Sequence, residues 1–508
     1  MKSESINATA AGTENMTQPK QAIILTIGIF FDGTGQNSSD GGYHQVNYTD
    51  TRNRMRELSS DQHLLPAHGF IGRAAVSSLN AQTNIYKLYT LYRQDIAPDS
   101  GSGQYALYIE GVGTEDGAHD NIYGIVTGRG DTGVVKKTDK AVAALAGCIR
   151  DYLGRLDVTH HCIIQNIQFD IFGFSRGAAA ARHFANRVFS QDPAIIAALQ
   201  PVLTKRVSQG ALEVKTRFLG LFDTVAAICT PINGLNPHNA DTGEVNLKLR
   251  PGVAQKVFHI TAQHECRFNF ALNSVKPAWP ELALPGVHSD IGGGYNTCEY
   301  ERYFVTRPEY ETVPLSTPDS GTRIYQKTCE QLSAMAAYPA IAPLLQTAGV
   351  TVESWHDARM PADRYGARQK RSGAAAVIER PTYNDWSKVV LRVMVDAAQD
   401  AGVEFYPCDS AVPGIAFQSE LQRFCEKAIL MGRAIRTGLQ VDGFTDEEIH
   451  RLAEKYIHCS ANWNCVEKDD QGRLRGAVRP AKWINFINRP DERWRRAVYD
   501  MDGKKVQI

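Results

Sequence analysis

Up to about residue 296, apolar residues gather in short runs separated by stretches where they recur at helical spacing. Gln21–Phe31 (QAIILTIGIFF) is a nearly continuous apolar run. It reads as a buried strand that delivers the Gly-rich turn Asp32-Gly33-Thr34-Gly35. A polar stretch with Gly41, Gly42 and Asn47 follows, and then Thr83–Arg93 reads as a helix. Tyr105–Gly113 (YALYIEGVG) is a second strand with a Gly-rich end. Val135, Val142, Leu145, Ile149 and Leu153 recur at helical spacing and predict a helix with one apolar face. The strand Ile163–Phe174, the small-residue helix Gly177–Phe189 and the strands Thr216–Asp223 and Val253–Ala262 complete the series.

Strands alternating with helices call for βαβ units, and hence an α/β fold with a mostly parallel sheet covered by helices on both faces. Beyond residue 296 the pattern loosens, with proline joints at Pro308, Pro314, Pro318, Pro339, Pro343, Pro361 and Pro381. The chain has 508 residues, which at roughly 100–200 residues per domain implies two or three domains. The first part reads as one α/β domain and the rest as accessory.

Composition narrows the function classes. Lys plus Arg and Asp plus Glu both number 55, so overall charge gives no argument for a nucleic-acid partner or for a disordered acidic tail. Hydrophobic residues at 43% and charged ones at 22% are ordinary globular values, which excludes disorder and fibre for most of the chain. The ten cysteines are scattered and form no CxxC pair, as expected of buried thiols made in a reducing cytoplasm. The N-terminus, MKSESINATAAGTENMTQPK, has no apolar core, so no ordinary signal peptide is expected. No apolar run approaches the ~18–20 residues that span a bilayer. The nearest is Ala334–Leu345 (AMAAYPAIAPLL), broken by Pro339 and Pro343, which could lie on a membrane or dip into it.

Gly173-Phe174-Ser175-Arg176-Gly177 fits G-x-S-x-G between a strand and a helix, the context a nucleophile elbow requires. Such an elbow lifts the serine Oγ above the sheet edge and aims a helix N-terminus at it, where developing negative charge is stabilised. The base and its carboxylate should follow in the chain order serine, acid, histidine. Asp223 ends the apolar run Phe218–Phe222, at the carboxyl end of the next strand; it also reads as a simple turn cap. Asp170, Asp32 and Asp290 are rivals, the first inside the nucleophile strand and the others in tight turns. His288 stands in the Gly-rich loop Pro285–Tyr295 (PGVHSDIGGGY), as a base reaching over the sheet edge would. His259, His264 and His183 read better as core or packing residues. For the oxyanion hole, the amide of Arg176 is one candidate, and an amide of Gly33 or Thr34 the other, unless that turn is purely structural. Phe30 stands where a D-x-D-G-T phosphatase has its nucleophile, which removes that reading. No H-E-x-x-H, zinc-spaced Cys/His set or Walker loop occurs, and Arg129-Gly130-Asp131 reads as an accidental tripeptide.

Four motifs occur in order: Phe30–Asn37 (FFDGTGQN), Gly173–Ala179 (GFSRGAA), Phe222–Val225 (FDTV) and Gly286–Tyr295 (GVHSDIGGGY). Together they resemble one bacterial α/β-hydrolase family, which includes the antibacterial phospholipases exported by type VI secretion, in the first of their lipase-effector families. The resemblance spans about residues 22–295 and implies a Ser–Asp–His triad carried by Ser175, Asp223 and His288. It also implies A1 or A2 cleavage of membrane phospholipid, export without a signal peptide, action in the periplasm or membrane of a rival bacterium, a spike protein as carrier and a cognate immunity protein. The chemistry needs neither metal nor cofactor. Simpler family members place an amphipathic helix soon after the histidine loop, and here the matching segment is Trp386–Gly402. The chain then divides into a tail (1–19), an α/β-hydrolase-like core (20–295), an insertion that is a possible membrane-contacting part (296–381), a helix returning to the core (382–405) and a C-terminal accessory part (406–508).

In that last part, Gln471–Asp500 holds eight basic residues (Arg473, Arg475, Arg479, Lys482, Arg489, Arg493, Arg495 and Arg496) against three acids, with Trp483 and Trp494 among them. Such a segment suits an anionic lipid surface, or equally a solvated face with tryptophan in a small core. Two other functions stay open from sequence: a serine esterase or thioesterase for a soluble substrate, and a non-catalytic adaptor on a hydrolase scaffold.

Overall fold

In the computed structural model, residues 21–33, 82–94, 96–97, 101–111, 133–157, 162–203, 213–226, 244–408, 414–463, 465–468, 474–477 and 488–506 are described. The tail 1–19, the polar stretch around Gly41, Gly42 and Asn47, Thr34, Arg129–Asp131 and Trp483 lie outside them.

The apolar runs become parallel strands because each buries both of its faces. β1 (Gln21–Phe31), β3 (Ser102–Ile109), β4 (Cys162–Phe174), β5 (Val214–Phe222), β6 (Lys256–Ala262) and β8 (Glu281–Leu284) form a parallel sheet in the order β3-β1-β4-β5-β6-β8. The short β2 (Ile96–Ala97) adds an antiparallel edge to β3, and β7 (Leu272–Asn273) stands outside the sheet. Chain order reverses on either side of β1, so the crevice beyond the carboxyl ends of β1 and β4 is a topological switch point, where open α/β sheets place their ligands. Asp32 follows the end of β1 and Ser175 follows the end of β4.

The two-residue strand period divides the core into two layers. Leu25, Ile27, Ile29 and Phe31 of β1, Phe169 and Ile171 of β4, and Leu219 and Leu221 of β5 pack on one face. The helices α2 (Val134–Asp157), α3 (Arg176–Phe189) and α4 (Pro193–Leu203) cover it. Phe30, Phe172, Phe218 and Phe222 pack on the other face. There α1 (Asn84–Leu91) and a much later helix, Asp385–Asp400, seal it with Ile85, Leu88, Trp386, Val389, Val390, Val393 and Ala397. Between these two lies the short α5 (His288–Gly292).

The chain reaches the late helix by an antiparallel excursion. β9 (Cys298–Phe304), β10 (Glu309–Pro314), β11 (Val350–Asp357) and the long β12 (Gln369–Tyr383) form a second sheet, with β12 paired to the other three. Only Asn384 separates the end of β12 from Asp385, so the excursion returns directly to the main core. The apolar run 334–345 spans the end of α6 (Arg323–Met335), a turn and the start of α7 (Ala342–Thr347). Its Met335, Ile341 and Leu344 are buried in the same cluster as the late helix, now labelled α8. No helix among the described residues is long and apolar enough to cross a membrane.

Residues 488–506 thread back onto the α/β half of the chain. Asp491 N–H donates to Cys266 O at 2.9 Å, Phe268 N–H to Arg489 O at 2.9 Å, and Leu272 N–H to Ala497 O at 2.9 Å. Val498–Tyr499 then pairs in parallel with β7. Arg489 and Trp494 from the basic segment are buried, so these two serve an interior rather than a lipid surface.

The small residues of α3 let it lie close on the sheet; Ala178–Ala181 are all buried. The tightest approach is at Gly177, where a Cβ would stand 2.3 Å from the carbonyl oxygens of Phe31 and Asp32. Gly177→Ala must therefore push β1 and α3 apart and is expected to lower the unfolding free energy by at least about 3 kcal/mol. Gly154→Ala, on the exposed side of α2 with nothing within 4 Å, should be neutral or stabilising by up to about 1 kcal/mol. Denaturant titrations of the two variants check the contrast.

Candidate active site

Ser175 sits between the last residue of β4 and the first of α3 with φ 58° and ψ −125°. A serine pays for left-handed backbone geometry, and here tertiary contacts hold it in place: Ser175 N–H donates to Phe222 O at 3.1 Å, and Ala178 N–H to Ser175 O at 3.1 Å. The first contact sets Ser175 beside the end of β5. Asp223, the next residue along, also has positive φ (40°). Arg176 opens α3, so its amide belongs to the helix N-terminus beside the serine.

Asp223 is fully buried, and all its hydrogen bonds serve one arrangement. Its Oδ2 accepts from His288 Nδ1 at 2.5 Å, and its Oδ1 accepts from Ala262 N–H at 2.9 Å. Because an ionised carboxylate can only accept, this contact places the imidazole proton on Nδ1 and leaves Nε2 as the basic nitrogen. The His288 ring lies 4.6 Å from that of Phe174, the residue before Ser175, and 5.0 Å from that of Phe270. Burial lowers the His288 pKa, outweighing the Asp223 hydrogen bond that raises it, so the ring is neutral and able to take a proton at neutral pH.

Burial alone would raise the Asp223 carboxyl, yet it is held far below the usual carboxylate range by the charge of Arg496 and the hydrogen bond from His288. Arg496 Nη1 donates to Asp223 Oδ1 at 2.7 Å and Nη2 to Oδ2 at 2.8 Å. Sequence reasoning missed this role. It had singled Arg496 out only as one of eight basic residues, and no local signal joins two positions 273 residues apart.

The backbone of the histidine loop is pinned as firmly as its side chain. Glu265 Oε2 accepts from His288 N–H at 3.2 Å and from Arg267 Nη2 at 2.8 Å, and Ser460 Oγ donates to the same carboxylate at 3.1 Å. Asp290 accepts from Val287 N–H at 2.9 Å and from both the amide and Nδ1 of His458, at 3.0 and 2.6 Å. Asn84 Nδ2 bridges Ile291 O and Ser387 O, both at 2.9 Å, tying α1 and α8 to the loop. Trp386 Nε1 donates to Pro285 O at 2.6 Å.

The rival residues are occupied elsewhere. Asp170 pairs with Arg217 at 2.5 Å and accepts from Tyr92 OH at 2.8 Å. Asp290 is bound to His458 as above. His259 uses both ring nitrogens, Nδ1 toward Glu281 at 3.0 Å and Nε2 accepting from Thr224 N–H at 3.0 Å. His264 Nδ1 accepts from Gly286 N–H at 2.9 Å and His183 Nδ1 from Asn246 N–H at 3.0 Å. Asp32 accepts from Thr83 Oγ1 at 2.8 Å and Tyr108 OH at 2.6 Å, and burial pushes its carboxyl up to about 6. Gly33, a candidate oxyanion donor, gives its N–H to Asp32 Oδ1 at 2.6 Å. Thr34 lies outside the described residues.

A doubly wound parallel sheet, a strained serine at the elbow of its switch point and a buried carboxylate–imidazole pair at the neighbouring strand ends define an α/β-hydrolase-like protein. The family described as the catalytic domain of the Tle1-like phospholipase effector of type VI secretion (T6SS) matches residues 200–316, which contain Asp223 and His288. Among solved structures, the Tle1 effector bound to the VgrG spike of the type 6 secretion system is 37% identical with a TM-score of 0.75. That match covers 97% of this chain and 98% of that one. An uncharacterized protein from Pseudomonas aeruginosa is 18% identical over 85% of this chain and 53% of its own, with a TM-score of 0.37. None of the curated proteins matches the chain. The chain belongs to the Tle1-like family of type VI secretion phospholipase effectors.

Burial raises the Glu265 carboxyl, but Arg267 outweighs it and brings it from 4.5 down to about 2. A carboxyl depressed in the folded state stabilises the fold above its ordinary value, and that contribution is lost as pH falls through the folded one. The destabilisation caused by Glu265→Gln should thus be largest at neutral pH and shrink between pH 4.5 and 2, as denaturant titrations at pH 7 and at acid pH would register.

Proposed function

We propose that Ser175, His288 and Asp223 form a catalytic triad that hydrolyses acyl esters of bacterial membrane glycerophospholipids in an A1 or A2 manner. The observation that carries this is the His288–Asp223 contact of 2.5 Å beside an elbow serine, in a chain alike end to end with a Tle1 effector. Ser175 Oγ attacks the ester carbonyl as His288 Nε2 takes its proton, and Asp223 holds the tautomer and stabilises the imidazolium. The amide of Arg176 at the start of α3, with one from the Gly33–Thr34 turn, stabilises the tetrahedral oxyanion. In this role the Gly33 N–H must turn from Asp32 to the substrate. His288 then returns the proton to the lysophospholipid leaving group, and water, activated by the same imidazole, releases the fatty acid from Ser175.

The proposed biological setting is the one the family suggests. Export by type VI secretion on the spike, action in the periplasm or membrane of a recipient bacterium, and a cognate immunity protein fit a phospholipase whose relative was solved on a VgrG spike. The segment 296–381 would guide lipid toward the crevice. Its apolar turn at 334–345 buries Met335, Ile341 and Leu344, so membrane contact would fall to the residues around them.

Mixed phosphatidylethanolamine and phosphatidylglycerol vesicles, read by mass spectrometry, test the activity. Wild type should release fatty acid and one lysolipid isomer, and Ser175→Ala should lower the rate by at least about 10³-fold with the fold intact. Near wild-type turnover by Ser175→Ala would end the triad reading. Absence of lipid release, with a fluorophosphonate still labelling Ser175, would move the substrate to a soluble ester.

A further inference from the structure

We propose that Arg496 is a positioning residue of the hydrolytic site: from the far end of the chain it fixes the carboxylate that orients His288 and sets the basicity of the imidazole. This rests on the triad reading above.

The geometry is a two-pronged clamp. Nη1 and Nη2 of Arg496 reach Oδ1 and Oδ2 of Asp223 at 2.7 and 2.8 Å, and Nε donates to Phe270 O at 2.7 Å. A planar guanidinium bound to both oxygens fixes the carboxylate plane in a way that a single point charge cannot. With Ala262 N–H on Oδ1 and His288 on Oδ2, the carboxylate holds four donors and has no freedom to swing. Phe270 links the same parts, since its ring meets His288 at 5.0 Å while its carbonyl anchors Arg496. The pairing of Val498–Tyr499 with β7 and the bonds from 266–272 to 489–497 deliver the arginine to this place.

The charges around the imidazole explain why an arginine is needed. His288 is faced by two buried carboxylates, Asp223 through Nδ1 and Glu265 through its own amide. Two arginines balance them, with Arg496 on Asp223 and Arg267 on Glu265. Asp290, on the same helix, is engaged by His458. Without Arg496, two buried negative charges would face one cation, and the imidazolium would be stabilised before any substrate arrived. A base protonated at rest cannot accept the serine proton, so the arginine adds to burial in keeping His288 neutral while it keeps Asp223 ionised.

The sign of the effect follows. Removing the Arg496 charge raises the His288 pKa, so the acid limb of the kcat/KM profile should move up by about one pH unit. The loss of the clamp should also lower kcat by roughly 10–100-fold, less than the ~10⁴-fold that follows loss of the orienting carboxylate itself. KM should change little, because the residue does not touch substrate.

The test uses the full-length protein and a short-chain diacyl phosphatidylglycerol below its micelle concentration, with Arg496→Gln, Arg496→Lys and Ser175→Ala side by side. An acid limb that shifts upward in Arg496→Gln and returns in Arg496→Lys supports the proposal. A folded Arg496→Gln whose limb stays at the wild-type pH overturns it, whatever the absolute rate, since a merely structural role lowers the rate equally at every pH. If Arg496→Gln does not fold, Arg496→Lys decides: it keeps the charge but loses the fork, so a kcat at least about 10-fold lower at unchanged KM supports the clamp, and wild-type kcat overturns it. Failure of the triad reading shows separately, as activity retained by Ser175→Ala.

Discussion

A carboxylate taken wholly out of water must be met by donors, and Asp223 collects them from parts of the chain that never meet in sequence. The amide of Ala262 comes from the end of β6, the imidazole of His288 from the loop after β8, and the guanidinium of Arg496 from the final segment. A register slip in any of these elements would leave a buried charge unmatched, at a cost of several kcal/mol. The requirement to satisfy Asp223 therefore couples the folding of the sheet, the histidine loop and the C-terminal strand.

The histidine loop is built on the same logic one layer out. Its backbone amides are held by Glu265 and Asp290, its far end by Asn84, and its entry by the indole of Trp386. These partners come from α1 and α8 on one face of the sheet, from Glu265 just after β6 and from the segment 458–460, so one face of the core and the late C-terminal region converge on five residues of helix. An imidazole held this way keeps a fixed position, which is the condition the proposed proton transfer requires.

Much of the core is legible in sequence because its signals are local. A run such as Gln21–Phe31 is apolar on both faces, which only a central parallel strand requires, and β1 spans those residues. The glycines around Ser175 announce a turn in which strand and helix nearly touch, and the 2.3 Å clearance at Gly177 gives the reason. Asp223 and His288 were singled out by their places at strand ends and in a Gly-rich loop, and the fold sets them 2.5 Å apart. Arg496 was hidden, since a basic residue among seven others looks like a solvated face until the strand pairing turns it inward. The buried Arg489 and Trp494 were hidden in the same way.

The sequence by itself determined the alternation of strands and helices, the elbow and the order of serine, acid and histidine along the chain. The elements and the elbow are written in spacings of two to four residues, which the backbone geometry of strands, helices and turns imposes directly, and the order of the three residues is the order of the chain itself. Only the tertiary structure decided which carboxylate meets which histidine among three buried pairs, and which arginine leaves the surface. Those choices depend on long-range pairings such as β7 with the C-terminal strand, and the electrostatic cost of burying a charge is settled only when distant partners are brought together.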